Sequence, residues 1–279
     1  MLPIKNVLAL HDLAAYGRCS LTCVIPVLSA MGIKVCPLPT ALYSSDTGGF
    51  GAVYAKDLTE EMPSIAEQWS KNEITFSGML VGYLGNEKQI DHTKHIAETL
   101  LAGGPLIVDP VMADHGRLYA GFDEAYVAKM RELVAAADYI LPNITEACLL
   151  TGIPYQQTYD RQYVEELLFA LRSLGAKTVI LTGVSLSGDN CGVAVLEGEV
   201  VQYYGHKRIP RDFHGTGDIF AAVFAGAILQ GQDAFRAAAK AADFVLICIE
   251  NTPGNQTGVR FEPYLRLLYD SVTDRNSSR

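Results

Sequence analysis

Short, unbroken apolar runs recur along the chain, each followed by a longer segment with helical spacing. That alternation constrains the fold more than any other feature. Val7 to Leu10, Ile33 to Pro37, Ile74 to Val81, Leu106 to Asp109, Asp138 to Leu141 and Thr178 to Thr182 read as strands. Leu21 to Met31, Leu58 to Trp69, Glu87 to Leu101, Asp123 to Ala137 and Arg161 to Leu174 repeat apolar residues at the helical period. Asp160 is placed to cap the last of these helices and Gly175 to end it. Cys191 to Leu196 and Val200 to Tyr204, joined by Glu197-Gly198-Glu199, read as a β-hairpin. Strands alternating with helices predict an α/β fold with a mostly parallel central sheet flanked by helices. No linker, repeat or low-complexity stretch breaks the pattern, so residues 1–279 are expected to form one domain, with Thr273 to Arg279 as a frayed tail.

Hydrophobic residues make up 49% of the chain, enough to bury a full core and too many for disorder. Acidic residues outnumber basic ones, 31 to 22, and no Lys/Arg run exceeds two. Nucleic-acid and anionic-membrane surfaces are therefore not expected. The longest apolar or Gly run, Ile219 to Leu229, is eleven residues, which suits a buried helix and is too short for a bilayer. Met1 to Lys5 lacks the charged and apolar regions of a signal peptide, so the expectation is a cytoplasmic protein. Of six cysteines, Cys19 and Cys23 have no matching Cys/His pair for zinc, and all six are expected to be reduced thiols, mostly in the core.

In an open α/β sheet, ligands bind beyond the carboxyl ends of the strands. Familiar signatures are missing there. No Walker-type phosphate loop occurs, Gly215-Thr216-Gly217 has Phe220 where a dinucleotide fingerprint needs its third Gly, and Gly183 to Ser187 fails the nucleophile-elbow pattern. What remains is His214-Gly215-Thr216-Gly217-Asp218, two glycines around a hydroxyl residue at the head of an apolar helix. Such a turn can aim backbone N–H groups at an anion, and Asp218 stands ready to accept a proton from a hydroxyl brought to the same place. The bland alternative is a helix cap and a chain turn; the helix beyond, apolar nearly all round, makes an idle carboxylate costly there. Asp109 and Asp114 follow a buried strand and suit Mg²⁺, or else form a solvated, capped loop. Pro142-Asn143-Ile144-Thr145-Glu146 reads by itself as a capping box. Strand-end acids beside an anion nest point to phosphoryl transfer, which needs positioning and electrostatics more than a covalent nucleophile.

These motifs resemble the ribokinase superfamily, and more closely its pyridoxal/pyridoxamine kinase branch. Gly-Thr-Gly-Asp at 215–218, Asp-Pro-Val-Met at 109–112 and Pro-Asn-x-x-Glu at 142–146 carry the resemblance. So do Tyr16-Gly17, Thr40 to Thr47 and Gly82-Tyr83, and the match runs in order from about residue 5 to 250. The resemblance implies a three-layer ribokinase-like fold and transfer of the γ-phosphate of ATP to the 5′-hydroxymethyl group of a B6 vitamer. It implies Asp218 as base, with Gly215, Thr216 and Gly217 holding the transferring group. It implies Asp109, Asp114 and Glu146 organising Mg²⁺, partly through water, and leaves room for a monovalent cation near Asp109 or Thr182. Asn143, Thr182, Tyr119 and the stretch from Ile209 to Phe213 would line the nucleotide, while Gly17, Thr47 and Tyr83 would meet the pyridine ring. A homodimer is likewise implied. Two positions depart from the pattern: Asp12 stands where many relatives have Ser, and Asp46 where they often have His. Asp12 remains a substrate residue on this reading, favouring a protonated ring nitrogen, an amine, or another hydroxymethyl heterocycle such as hydroxymethylpyrimidine. A vitamer- or nucleotide-binding protein without turnover is the non-enzymatic alternative.

Overall fold

Nine strands lie in one sheet, ordered β11-β10-β9-β8-β5-β4-β1-β2-β3, in a computed structural model that describes residues 5–48, 50–211, 213–254 and 258–269. The first half of the chain gives β1 (Asn6–Ala14), α1 (Leu21–Ala30), β2 (Lys34–Tyr43), β3 (Ala55–Asp57), α2 (Glu61–Lys71), β4 (Met79–Val81) and α3 (Glu87–Leu100). Then come β5 (Leu106–Val108), β6 (Ala113–Asp114), β7 (Arg117–Leu118), α4 (Glu124–Ala135), β8 (Tyr139–Ile140) and α5 (Ile144–Thr151). The last part gives α6 (Arg161–Ser173), β9 (Thr178–Val184), β10 (Asn190–Glu197), β11 (Val200–Lys207), α7 (Thr216–Leu229) and α8 (Ala234–Glu250). The six central strands from β9 to β2 are mutually parallel; β3, β10 and β11 add antiparallel edges. The expected frayed tail lies outside the described residues.

Because strand side chains alternate, each central strand feeds two cores. Leu8, Leu10, Met79, Val81, Leu106, Val108, Val179 and Leu181 pack with α2 to α6 on one face. Val7, Ala9, Leu80, Ile107 and Ile180 pack with α1, α7 and α8 on the other. The result is the three-layer, mostly parallel arrangement expected. Helix α7 is the most enclosed, with ten of its residues buried from Ile219 to Leu229. Among the described residues no helix is long and apolar enough to cross a membrane.

Local chemistry sets the boundaries. Asp123 and Asp160 accept first-turn N–H groups of α4 and α6. The strand read as Ile33 to Pro37 in fact runs on to Tyr43, through Pro37 and Pro39. Lys34 donates its N–H to Lys5 across β1, so by alternation both prolines turn their nitrogens to the outer side. There β3 pairs only with Ala41 to Tyr43, so no ladder bond is lost. The segment after β5, read as an open loop, folds into the β6–β7 hairpin. His115 and Gly116 both have positive φ, 50° and 77°, as a tight two-residue hairpin turn requires.

Candidate active site

The carboxyl ends of β1, β4, β5, β8 and β9 open on the same edge of the sheet, and the start of α7 faces them. His11 and Asp12 lie near the end of β1, Gly82 and Tyr83 follow β4, Asp109 follows β5, and Asn143 follows β8 and bridges to Thr182 of β9.

Asp218, in the first turn of α7, is gripped from two sides. His11 Nε2–H donates to its Oδ1 at 2.9 Å, and the Ser20 backbone N–H donates to its Oδ2 at 2.6 Å. The other face of His11 donates from Nδ1 to Asp12 Oδ1 at 2.8 Å, and Ser20 Oγ donates to that same oxygen at 2.6 Å. Burial alone would lower the His11 pKa, but the Asp218 charge and hydrogen bonds to both acids push it up to about 10. The ring is therefore an imidazolium bridging two carboxylates. Burial alone would raise Asp218; the His11 charge and hydrogen bond, the Ser20 N–H and His214 outweigh it and hold the carboxyl below its ordinary value. Gly82 makes room for this bridge, because a side chain there would begin inside the His11 ring.

Gly215 caps α7 with φ 82°, and a Cβ on it would run into the Arg18 carbonyl. Only glycine tolerates both the left-handed backbone and that close approach. No side chain caps this end. The first-turn N–H groups, with the positive end of the helix dipole, thus face the open edge. Gly217 lies beside Asp109, whose Oδ2 would be 4.0 Å from a Cβ at that position.

Asp109 and Glu146 form a buried acidic pair. Burial and the Asp218 charge push Asp109 up to about 7, with His11 opposing. Burial and the Asp109 charge raise Glu146 well above its ordinary value, opposed by backbone N–H bonds. Glu146 completes the expected capping box: its Oε2 accepts the Asn143 N–H at 2.9 Å while Asn143 Oδ1 accepts the Glu146 N–H at 2.9 Å. It also accepts the Met112 N–H, and Asn143 Nδ2 donates to Ala113 O, so the pair ties the 109–114 segment to α5.

Asp114 does not join this pair. It is exposed on the β6–β7 hairpin, where Oδ1 accepts the His115 N–H, and among the described residues no three acidic, His or Cys side chains converge as a metal cluster. Of the three expected carboxylates, Asp109 and Glu146 come together, and the hairpin turn carries Asp114 outward. Tyr119 looks onto all of these acids: burial first, then the charges of Glu146, Asp114, Asp109 and Asp218, push its hydroxyl up. Thr182 Oγ1 donates to Pro142 O at 3.3 Å. Ile209 and Phe213 are partly buried, with Phe213 packed on the α7–α8 side; Asp212 between them lies outside the described residues. Tyr83 Oη accepts from Tyr43 Oη at 3.2 Å. Gly17 lies against Asp46. Thr47 is exposed, and its neighbour Asp46 is the residue that is buried.

Sequence reasoning missed His11 and Ser20. Ser20 is marked by the fold: it stands where α1 needs its N-cap, yet its hydroxyl goes to Asp12 and its φ is 54°. A residue that breaks a local rule without local compensation marks a functional site. His11 showed only as the neighbour of Asp12.

A parallel sheet with an acid-lined carboxyl edge, facing an uncapped glycine turn and a restrained carboxylate, defines a ribokinase-like kinase. The family model described as phosphomethylpyrimidine kinase matches residues 23–261, and the chain belongs to that family. The crystal structure of pyridoxal kinase from Lactobacillus plantarum is 37% identical, with a TM-score of 0.88 over 96% of this chain and 97% of that one. The pyridoxine/pyridoxal/pyridoxamine kinase of Bordetella bronchiseptica is 28% identical over 90% of each chain. The hydroxymethylpyrimidine/phosphomethylpyrimidine kinase of Bacillus subtilis is 29% identical over 83% of each.

Proposed function

We propose that this kinase transfers the γ-phosphate of ATP to the 5′-hydroxymethyl group of a B6 vitamer. The observation that carries the reading is the Asp218 carboxylate, kept ionised by His11 and Ser20 at the foot of an uncapped helix. Asp218 takes the hydroxyl proton as the substrate oxygen attacks in line. Backbone N–H groups of Gly215, Thr216 and Gly217 meet the oxygens of the transferring group, where each donor is worth about 2.7–4 kcal/mol. Asn143, Thr182, Tyr119, Ile209 and Phe213 border the nucleotide, and Tyr83 and Gly17 the ring. Hydroxymethylpyrimidine is the second reading, favoured by the family description and by the Bacillus subtilis relative.

A divalent cation fits Asp109 and Glu146, two buried acids each pushed up by burial and by the charge of a neighbouring carboxylate. Mg²⁺ takes one or two carboxylates and completes its shell with water and phosphate oxygens, so a third acid is not needed. Bound there, it neutralises charge on the phosphates. Both carboxyls have folded pKa values above their unfolded ones. Their contribution to stability is thus present at low pH and lost as pH rises through about 7 for Asp109. Mg²⁺ should therefore raise the melting temperature more at pH 8 than at pH 6, where protons compete for the site. The Asp109→Asn variant should lose that difference. Differential scanning calorimetry at the two pH values checks it, and an equal Mg²⁺ effect at both would exclude this pair as the site.

The function itself is tested by ADP release with Mg·ATP and pyridoxal, pyridoxamine, pyridoxine or hydroxymethylpyrimidine at matched concentrations. Turnover with a pyridine is expected. Turnover with the pyrimidine alone transfers the assignment to the second reading, and folded protein that binds ATP but turns over none of the four is not a kinase of these substrates.

A further inference from the structure

Asp46 is the one buried acid of this edge that the proposed reaction leaves without a task. It is 5% exposed. Its Oδ1 accepts the Gly48 N–H at 2.8 Å, while its Oδ2, sealed from solvent, meets no donor among the described residues. Three other site acids are supplied: Asp12 and Asp218 by His11 and Ser20, Glu146 by Met112 and Asn143. Among the described residues the only other such orphan is Gln230 Oε1, beyond the far end of α7.

Asp46 is held in place by backbone. Its N–H donates to Tyr16 O at 2.8 Å, and its Cβ stands 2.9 Å from where a Gly17 side chain would begin. Burial, then the charges of Asp218, Asp46 and Asp12, push the Cys19 thiol up, so the three acids share one neighbourhood. Gly48, the residue that occupies Oδ1, packs against the ring of His214, which leads into Gly215. Asp46 therefore lies in the neighbourhood of Asp218 and of the turn that opens α7. Leaving a buried acceptor unpaired costs about 1–3 kcal/mol, and more when it is charged, so a bound molecule is the natural source of the missing donor.

Resting on the kinase reading above, we propose that Asp46 determines specificity by accepting a hydrogen bond from an amine beside the reacting hydroxymethyl arm. Among B6 vitamers that selects pyridoxamine. Its ammonium group donates and carries the complementary charge, the pyridoxine hydroxyl donates without charge, and the pyridoxal carbonyl only accepts. A site built around an acceptor discriminates against a ligand that brings a second acceptor.

The test compares kcat/KM for the three vitamers in wild type and in Asp46→Asn. The asparagine keeps an oxygen for Gly48 and presents an amide N–H₂ where Oδ2 stood. Wild type should prefer pyridoxamine over pyridoxal by roughly tenfold to a hundredfold, the worth of a hydrogen bond to a charged group. The variant should lose that preference or reverse it, mainly through KM. Equal use of the vitamers by wild type, or an equal loss on all three in the variant, would reduce Asp46 to a loop anchor. If the variant does not fold, calorimetric binding of pyridoxamine and pyridoxal to wild type decides, with equal affinities overturning the proposal. If no vitamer is phosphorylated, the kinase reading falls, and the same binding order still decides the role of Asp46.

Discussion

Replacing Asp218 with Asn lowers turnover by roughly 10²–10⁴, the usual worth of a general base, with little change in substrate affinity. The expectation follows from what surrounds the side chain. His11 and Ser20 each donate to one oxygen of Asp218, which fixes its orientation toward the α7 turn. An amide keeps the shape but has too little basicity to take the hydroxyl proton. One of its two ends must also face a donor with a donor, so a stability loss of about 1–3 kcal/mol accompanies the kinetic one. Single-turnover kinetics, with vitamer and nucleotide binding measured by calorimetry, separate the two effects. A variant that folds, binds both substrates and retains more than about a tenth of wild-type turnover would remove Asp218 from the base role.

Replacing His11 with Asn should change the pH profile as well as the rate. In wild type the imidazolium, with its pKa raised to about 10, holds the Asp218 carboxyl below its ordinary value. The base is therefore ionised across the neutral range, and no acidic limb from Asp218 is expected there. Without the imidazolium, burial dominates, the Asp218 pKa rises, and an acidic limb enters the measurable range. Each unit by which that pKa exceeds the assay pH costs about tenfold in rate. Stability carries the same signature. The folded pKa of His11 lies above its unfolded value of 6.5, so its stabilisation is complete below pH 6.5 and is lost as pH rises through about 10. Wild type should show that alkaline decline in melting temperature, and the variant should lack the His11 contribution. The variant should also be less stable at pH 7 by about 3–5 kcal/mol, because two buried carboxylates lose their shared partner. An unchanged pH–rate profile would show that His11 only fills space.

Much of the architecture was legible before any coordinates. Apolar strands such as Leu106 to Val108 show because both faces are buried, and α4 and α6 announce themselves through Asp123 and Asp160. The continuation of β2 past its prolines was hidden, because whether a missing N–H matters depends on which side a neighbour pairs. The β6–β7 hairpin was hidden for a different reason, as its two strands are two residues each and show no periodicity. At the site, Gly215 to Asp218, Asp109 and the Asn143–Glu146 box were legible because each lies within one short segment whose spacing encodes its local geometry.

The amino-acid sequence by itself determined the class of sheet, the helix that closes on it, the glycine turn and the identity of the acidic groups. Those follow from period, capping and composition, which act over a few residues. Tertiary structure alone decided which acids meet. It set His11 between Asp12 and Asp218, 207 residues apart in the chain from the latter, turned Asp114 outward and sealed Asp46 against Gly17. The physical reason is that a charge is tuned by what lies within a few ångströms in space and by how much water is excluded. Neither quantity is set until the sheet has brought distant strand ends to one edge.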